Sequence, residues 1–323
     1  MSKERKAEKI ILDTDPGIDD AMAILFAMNC PDIELLAIST VFGNASLQNT
    51  TRNALFIKNK FDSTFDVVSG AEKPLKKTPN GPTDHVHGIG GLGIVEASDS
   101  HHLPISTPSW EYMADRVRAD PNEITLVAIG PLTNLALLVE KSPEVVPLVK
   151  KVVIMGGAFG ENGHRGNVSP VAEANIHDDP LAADIVFGAE WPVTIIGLDV
   201  THEVLCTDRY LEKIRDSAGP SGEFIYQVTR FYVDFYQQSI GKRACFLHDP
   251  TALTFLVSPE LFELREGPVR VVTEGCAEGM TIQKIETKPY SYDDWQQRPN
   301  QSVAIAVDSQ KVLELFSNTV RHE

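Results

Sequence analysis

The chain has 323 residues with a formal net charge of −16, 42% of them hydrophobic and 23% charged. That is an ordinary globular composition, with enough length to bury a sizeable core. The acidic balance excludes a nucleic-acid or anionic-membrane surface, both of which need basic patches, and favours a neutral or cationic small molecule or a metal-dependent site.

Residues 1–8 read as a basic tail ahead of one domain over 9–323. With no apolar h-region behind them they are not expected to be a secretory signal, and no apolar stretch reaches the length of a membrane span. Cys30, Cys206, Cys245 and Cys276 are far apart in sequence with no Cys-x-x-Cys pair. They read as free thiols in a reducing compartment, so the expected location is the cytoplasm.

The first predicted strand, Ile10–Leu12, runs straight into four aspartates within eight residues: Asp13, Asp15, Asp19 and Asp20. Two like charges 4 Å apart repel by roughly 1 kcal/mol in water and roughly 4 kcal/mol at an effective dielectric of 20. A solvated acidic turn with one Asp as helix N-cap explains one or two of them. Four, between Lys9-Ile10-Ile11-Leu12 and Ala21-Met22-Ala23-Ile24-Leu25-Phe26, are better explained by a hard cation with all-oxygen ligands, Ca²⁺ or Mg²⁺.

Further along, Leu35–Val41, Thr125–Ile129, Val152–Met155 and Val193–Leu198 are short, continuous and rich in Ile and Val, as strands buried on both faces of a parallel sheet are. Helices are predicted between them at Asp19–Met28, Gln48–Lys60, Leu132–Glu140 and Pro180–Phe187. The expected fold is α/β: a single open, mostly parallel, Rossmann-like sheet with helices on both faces. Residues 208–257 read as a helical elaboration, followed by strands at Val269–Thr273, Gly279–Lys284 and Ser302–Val307. The glycine- and histidine-rich stretch from Asp84 to Gly93 is the expected mobile element. In open parallel sheets ligands bind outside the carboxyl ends of the strands. The aspartate run, Asn44, Gly130-Pro131-Leu132-Thr133-Asn134 and Gly156-Gly157 all lie just past predicted strand ends, and so converge on one rim.

The run Asp13-Thr14-Asp15-Pro16-Gly17-Ile18-Asp19-Asp20 resembles the N-terminal signature of the inosine–uridine type nucleoside hydrolases. Val41-Phe42-Gly43-Asn44, His87-Gly88, Gly91-Leu92-Gly93, Gly130 to Asn134, Met155-Gly156-Gly157, Gly166-Asn167 through Asn175, and His248-Asp249-Pro250 match in the same order. The resemblance implies a Ca²⁺-dependent hydrolase that cuts the N-glycosidic bond of ribonucleosides, with a homo-oligomeric (dimer or tetramer) state and a role in nucleoside salvage. It also implies that Asp15, Asp20 and Asp249, with the backbone carbonyl of Ile129, hold the metal. Asp15 is then the general base towards a metal-bound water, and Asp13 supports it from behind. Asp19, Asn44, Asn167, Glu173 and Asn175 would hold sugar hydroxyls and Met155 would pack on the sugar. His248 matches a leaving-group acid, while His87, Tyr232 and Tyr236 match base-facing positions.

The residues also admit plainer readings. Asn134 reads as a packing or capping residue and is left out of the site. Met155 suits a core as well as a sugar, and Phe231, Tyr232, Phe235 and Tyr236 suit an aromatic core stripe. Ala174 stands where protozoan members carry a bulkier aromatic, which weakens any transfer of their substrate preference. Two rivals are a haloacid-dehalogenase-like phosphatase, which shares the Asp-x-Asp start but leaves His248-Asp249-Pro250 unexplained, and a non-catalytic nucleoside-binding protein on the same fold.

Overall fold

The computed structural model describes residues 6–321. Residues 1–5 of the expected basic tail lie outside them, and the first strand already begins at Glu8.

In chain order the molecule starts with β1 (Glu8–Thr14), α1 (Ile18–Asn29), β2 (Ile33–Thr40), α2 (Leu47–Lys60) and β3 (Asp66–Ser69). The alternation continues through α3 (Asp84–His87), α4 (Ser109–Ala119), β4 (Ile124–Ala128), α5 (Thr133–Lys141), β5 (Lys151–Met155), α6 (Ala174–Asp178), α7 (Pro180–Phe187) and β6 (Val193–Ile196). Next come α8 (Leu198–Thr201), β7 (Leu205–Thr207), α9 (Asp208–Ser217), α10 (Gly219–Ile240), β8 (Ala244–Phe246) and α11 (His248–Val257). The chain closes with β9 (Phe262–Gly267), β10 (Val269–Val271), β11 (Thr281–Gln283), β12 (Gln301–Val307) and α12 (Ser309–Thr319).

Among the described residues, eight strands form one sheet in the order β3-β2-β1-β4-β5-β6-β12-β9. Every neighbouring pair is parallel except β12 with β9, which is antiparallel at the edge. The expected parallel α/β sheet is therefore present. Strand order reverses between β1 and β4, which opens a crevice at their carboxyl ends.

Successive residues of a strand face opposite sides of its sheet. Ile10 and Leu12 accordingly join the core under α1, α2, α10, α11 and α12, whereas Ile11 joins the one under α4, α5 and α7. Helix α1 is buried from Ile18 to Ala27, with Phe26 stacked on Phe316 at a centroid distance of 6.0 Å. Fully burying such a side chain stabilises the fold by about 1.5–3 kcal/mol. A helix so enclosed carries its own N-terminal carboxylates, Asp19 and Asp20, into the interior.

The helical elaboration at 208–257 is interrupted. Strand β8 falls inside it and pairs antiparallel with β7, bringing Cys206 opposite Cys245. Both thiols are buried and unoxidised, and they face one another despite their distance in sequence. Strand β9, FELREG, has no counterpart in the predicted elements. The strands expected at Val269–Thr273 and Gly279–Lys284 form a separate ribbon of β10 and β11. No helix among the described residues is long and apolar enough to cross a membrane.

Candidate active site

Strand β1 ends at Thr14, and Asp15-Pro16-Gly17 turns the chain into α1. The turn is closed by its own second half. Asp20 Oδ2 accepts the Gly17 N–H at 2.9 Å, and its Oδ1 accepts the Thr14 hydroxyl. The segment after β2 completes the frame: Asn44 donates its backbone N–H to Asp15 Oδ2 at 2.7 Å and its Nδ2 to Asp20 Oδ2 at 2.9 Å. Gly43 is required here. Its φ is +151°, and a Cβ on it would lie 2.1 Å from Asp15 Oδ2.

Carboxylate oxygens of Asp19, Asp20 and Asp249 lie within 4.8 Å of one another, all buried. Asp15 is buried beside them and presses on Asp20 electrostatically. Burial is the first cause that raises each of these acids, and repulsion from neighbouring carboxylates adds to it for Asp15, Asp19 and Asp249. Asp19 is pushed up to about 8, and Asp15 and Asp249 well above the usual carboxylate range. Asp15 Oδ1 and Asp19 Oδ1 are buried without a hydrogen-bond partner. Buried unpaired carboxylates are costly unless a cation compensates them, so this donor set fits a hard metal ion.

The other expected ligand atom, the Ile129 carbonyl, lies at the end of β4 across the crevice and accepts Asn175 Nδ2 at 3.0 Å. A carbonyl oxygen has a second lone pair for a further partner. Among the described residues, the trio close enough to share a metal ion thus includes Asp19, which the family resemblance assigned to the sugar, and does not include Asp15.

The nest opens into a cavity of about 650 Å³. Asp19, Asn44, His87, Ile129, Met155, Asn167, Glu173, Asn175, Tyr232, Tyr236, His248 and Asp249 all line it. Glu173, read from sequence as surface were it not for its motif, is 2% exposed. It caps α6, with Oε1 accepting from Asn175 N at 2.9 Å, and Oε2 from Gly157 N at 2.9 Å and Ile176 N at 3.1 Å. Burial lifts it to about 7 against those hydrogen bonds. Asn167 accepts the Ala174 N–H at 3.0 Å.

Like Asp15 and Asp20, Asp13 does not line the cavity. It is fully buried behind Asp15, where Oδ2 accepts the Ser39 hydroxyl and Asn134 Nδ2, the latter at 2.8 Å. Burial raises it to about 7. Asn134, left out of the site on sequence grounds, is therefore part of the support beneath it, and it also donates to the Thr40 carbonyl at 3.0 Å.

Among the lining groups one file of hydrogen bonds runs in a single direction. Tyr232 donates to Asp19 Oδ2 at 3.4 Å, and Tyr236 donates to the Tyr232 hydroxyl at 3.4 Å. His248 Nε2 is 3.1 Å from the Tyr236 oxygen, and His248 Nδ1 is 2.8 Å from the Thr201 hydroxyl. Because Tyr236 gives its proton to Tyr232, it accepts from His248, so Nε2 carries the hydrogen and Nδ1 accepts from Thr201. Burial, then His202 and His87, holds the His248 imidazole neutral, well below its usual range. His87 is fixed similarly: Nδ1 accepts the Ile18 N–H at 3.1 Å, and burial lowers it to about 3, leaving a neutral ring with hydrogen on Nε2. Thr201, His202 and Phe246 also contact His248, with the His202 ring 5.2 Å from it. Sequence reasoning missed all three, and only their proximity to a strand end, after β6 or in β8, could have flagged them.

A reversing parallel sheet, with a buried acidic nest that could hold a cation at its switch point and a cavity beside it, is the arrangement of an α/β protein that binds a small ligand at its strand ends. Comparison with known proteins makes this specific. The sequence profile of the inosine-uridine preferring nucleoside hydrolases matches residues 10–314. A probable uridine nucleosidase of Oryza sativa subsp. japonica is 40% identical over 309 residues, spanning 95% of this chain and 91% of its own. A plant nucleoside hydrolase, the PpNRh1 enzyme, superposes with a TM-score of 0.94 at 36% identity, over 98% of this chain and 99% of its own. A purine-preferring ribonucleoside hydrolase from Gardnerella vaginalis does so with a TM-score of 0.89 at 33% identity, over 97% and 98%. The chain belongs to the inosine-uridine preferring nucleoside hydrolase family and is a ribonucleoside hydrolase.

Proposed function

We propose that this enzyme hydrolyses the N-glycosidic bond of uridine, of purine ribonucleosides such as inosine, or of both, using a bound Ca²⁺, to give ribose and free base. The observation that carries the reading is the buried carboxylate nest beside a cavity that neutral imidazoles also line. Asp15, Asp20, Asp249 and the Ile129 carbonyl would hold the ion, with Asp19 beside them. When bound, the ion lowers the pKa of a water and offers coordination to ribose hydroxyls.

The protein's own groups supply the rest. Asp15, fixed by the Asn44 N–H, takes a proton from the attacking water. Asp19, Asn44, Asn167, Glu173 and Asn175 orient the sugar hydroxyls, and Met155 packs against the ring. As the glycosidic bond lengthens, positive charge grows on the ribose, and the anionic wall stabilises it. The departing base accepts a hydrogen bond from His87 through Nε2–H, and from His248 once its Nε2–H turns from the Tyr236 oxygen to the base. The file from His248 through Tyr236 and Tyr232 to Asp19 keeps His248 in that tautomer. Oligomeric assembly and a place in cytoplasmic nucleoside salvage belong to the same reading and rest on family resemblance alone.

The test is free-base release from uridine, inosine, xanthosine, adenosine and cytidine, each with and without a chelator. Chelator-sensitive release of base and ribose is the expected result. No release from any of the five, with Ca²⁺ still bound, overturns the reading in favour of a nucleoside-binding protein. Two further outcomes are expected. A 2′-deoxyribonucleoside should be cleaved ~10⁴-fold less efficiently than its ribo counterpart, since its binding leaves buried polar groups unpaired; equal kcat/KM would show that the sugar wall is misassigned. His248→Ala should lower kcat by ~10²-fold while metal content, measured by elemental analysis, stays at the wild-type level.

A further inference from the structure

His87 reaches the cavity because the segment that carries it lies against the aspartate turn. One side chain joins the two. Asn53, on α2, is fully buried and donates both Nδ2 hydrogens, one to the Pro16 carbonyl at 2.9 Å and one to the Gly90 carbonyl at 2.8 Å. Pro16 belongs to the turn that presents Asp15, and the Ile18 N–H just beyond it is what orients His87 Nδ1. Gly90 belongs to the glycine-rich segment, which folds back so that the Gly93 N–H meets the His87 carbonyl at 2.7 Å. A second tie from α2, Asn49 Nδ2 to the Ile89 carbonyl, is long at 3.4 Å and exposed.

The junction has no slack. Gly91 has a φ of +90°, and a Cβ there would lie 2.9 Å from Asn53 Nδ2 and 3.3 Å from the Pro16 carbonyl. A Cβ on Gly17 would lie 2.5 Å from His87 Nδ1. The two segments touch backbone to backbone, and the donor that satisfies both carbonyls at that contact is Asn53. A buried carbonyl left without its donor is costly, so losing the amide favours separation of the segments.

We propose that Asn53 is a positioning residue for His87, holding the glycine-rich segment on the aspartate turn so that Ile18 sets the ring. The role rests on the base-side assignment of His87 made above. Two measurements test it, one independent of activity. Limited proteolysis of Asn53→Ala, far below its melting temperature, should cut within residues 84–93 about tenfold faster than wild type, with other sites unchanged. The same variant should lose about tenfold in kcat/KM, but less than twofold when introduced into His87→Ala, because a residue acting through His87 has nothing to act on once His87 is gone. Should Asn53→Ala fail to fold, Gly91→Ala disturbs the same contact from the segment side and is expected to reproduce both results. Unchanged protection of residues 84–93 overturns the proposal, as do losses that multiply in the double variant. If His87→Ala itself leaves turnover intact, the base-side reading of His87 falls and this role with it, while proteolysis still reports whether Asn53 joins the segments.

Discussion

Asp15→Ala is expected to abolish turnover, by about 10⁴-fold or more, and to weaken the cation in the same step. Asp15 is 1% exposed, its Oδ2 is fixed by the Asn44 N–H, and its Oδ1 has no protein partner. One carboxylate thus stands at the place where a base and a ligand are both needed. Base release gives the activity, and isothermal titration with Ca²⁺ gives the affinity. The same substitution should make the metal-free protein melt higher than the metal-free wild type, because it removes a carboxylate that burial and Asp20 both penalise. That combination separates loss of site chemistry from loss of fold. Full activity in the variant would end the assignment of the whole nest.

Removing the metal from the wild-type enzyme should lower its melting temperature, and by more at pH 8 than at pH 5. Asp13 and Glu173 are raised to about 7 and Asp19 to about 8, in each case chiefly by burial. Their folded pKa values lie above the unfolded ones. Between about pH 4 and pH 8 the metal-free native state therefore holds protons that the unfolded chain has released, and stability falls as pH rises through that window. A tenfold difference in proton affinity between the folded and unfolded chain is worth about 1.4 kcal/mol. A bound cation replaces the protons held by Asp15, Asp19, Asp20 and Asp249, which burial also raises, and so lessens the dependence. With roughly 2 °C per kcal/mol for a chain of this size, chelation should cost about 5–10 °C at pH 8 and little at pH 5. A calorimetric scan of chelated and Ca²⁺-loaded protein across pH checks it; a chelation effect independent of pH would mean that the carboxylates do not share the cation.

The part of this molecule legible in the sequence is the part buried on both faces. Strands such as Ile10–Leu12 and Val152–Met155 are continuous apolar runs because a central parallel strand meets helices on either side. The aspartate spacing stood out because those charges interrupt such a run. Strand β9 was missed since it is an antiparallel edge with glutamates at exposed positions, and its sequence looks like a solvated loop. Strand β8 was lost within the stretch read as helical, and with it the ribbon it forms with β7 and the meeting of Cys206 and Cys245. Asn53, Thr201 and His202 carry no local signal, and the motif that holds Asn134 does not show what Asn134 touches. Each matters through a partner distant in sequence, Asp13 for Asn134 and Gly90 for Asn53, and periodicity does not report such pairs.

The complete enclosure of α1 has a consequence for how this chain tolerates changes of length. A residue added to the turn before α1 must either bulge against the packed nest or be taken up as helix, which turns the residues of α1 by about 100° relative to their surroundings. On a surface helix that rotation is absorbed by solvent, but α1 has no free face to turn towards water. An insertion or deletion between Thr14 and Ile18 would either drive Asp19 and Asp20 out of the nest or force Met22, Leu25 and Phe26 out of register with the core. The interval between the end of β1 and the start of α1 is a fixed length in this fold, while segments such as 94–104 and 285–300 lie outside regular secondary structure and have room to vary.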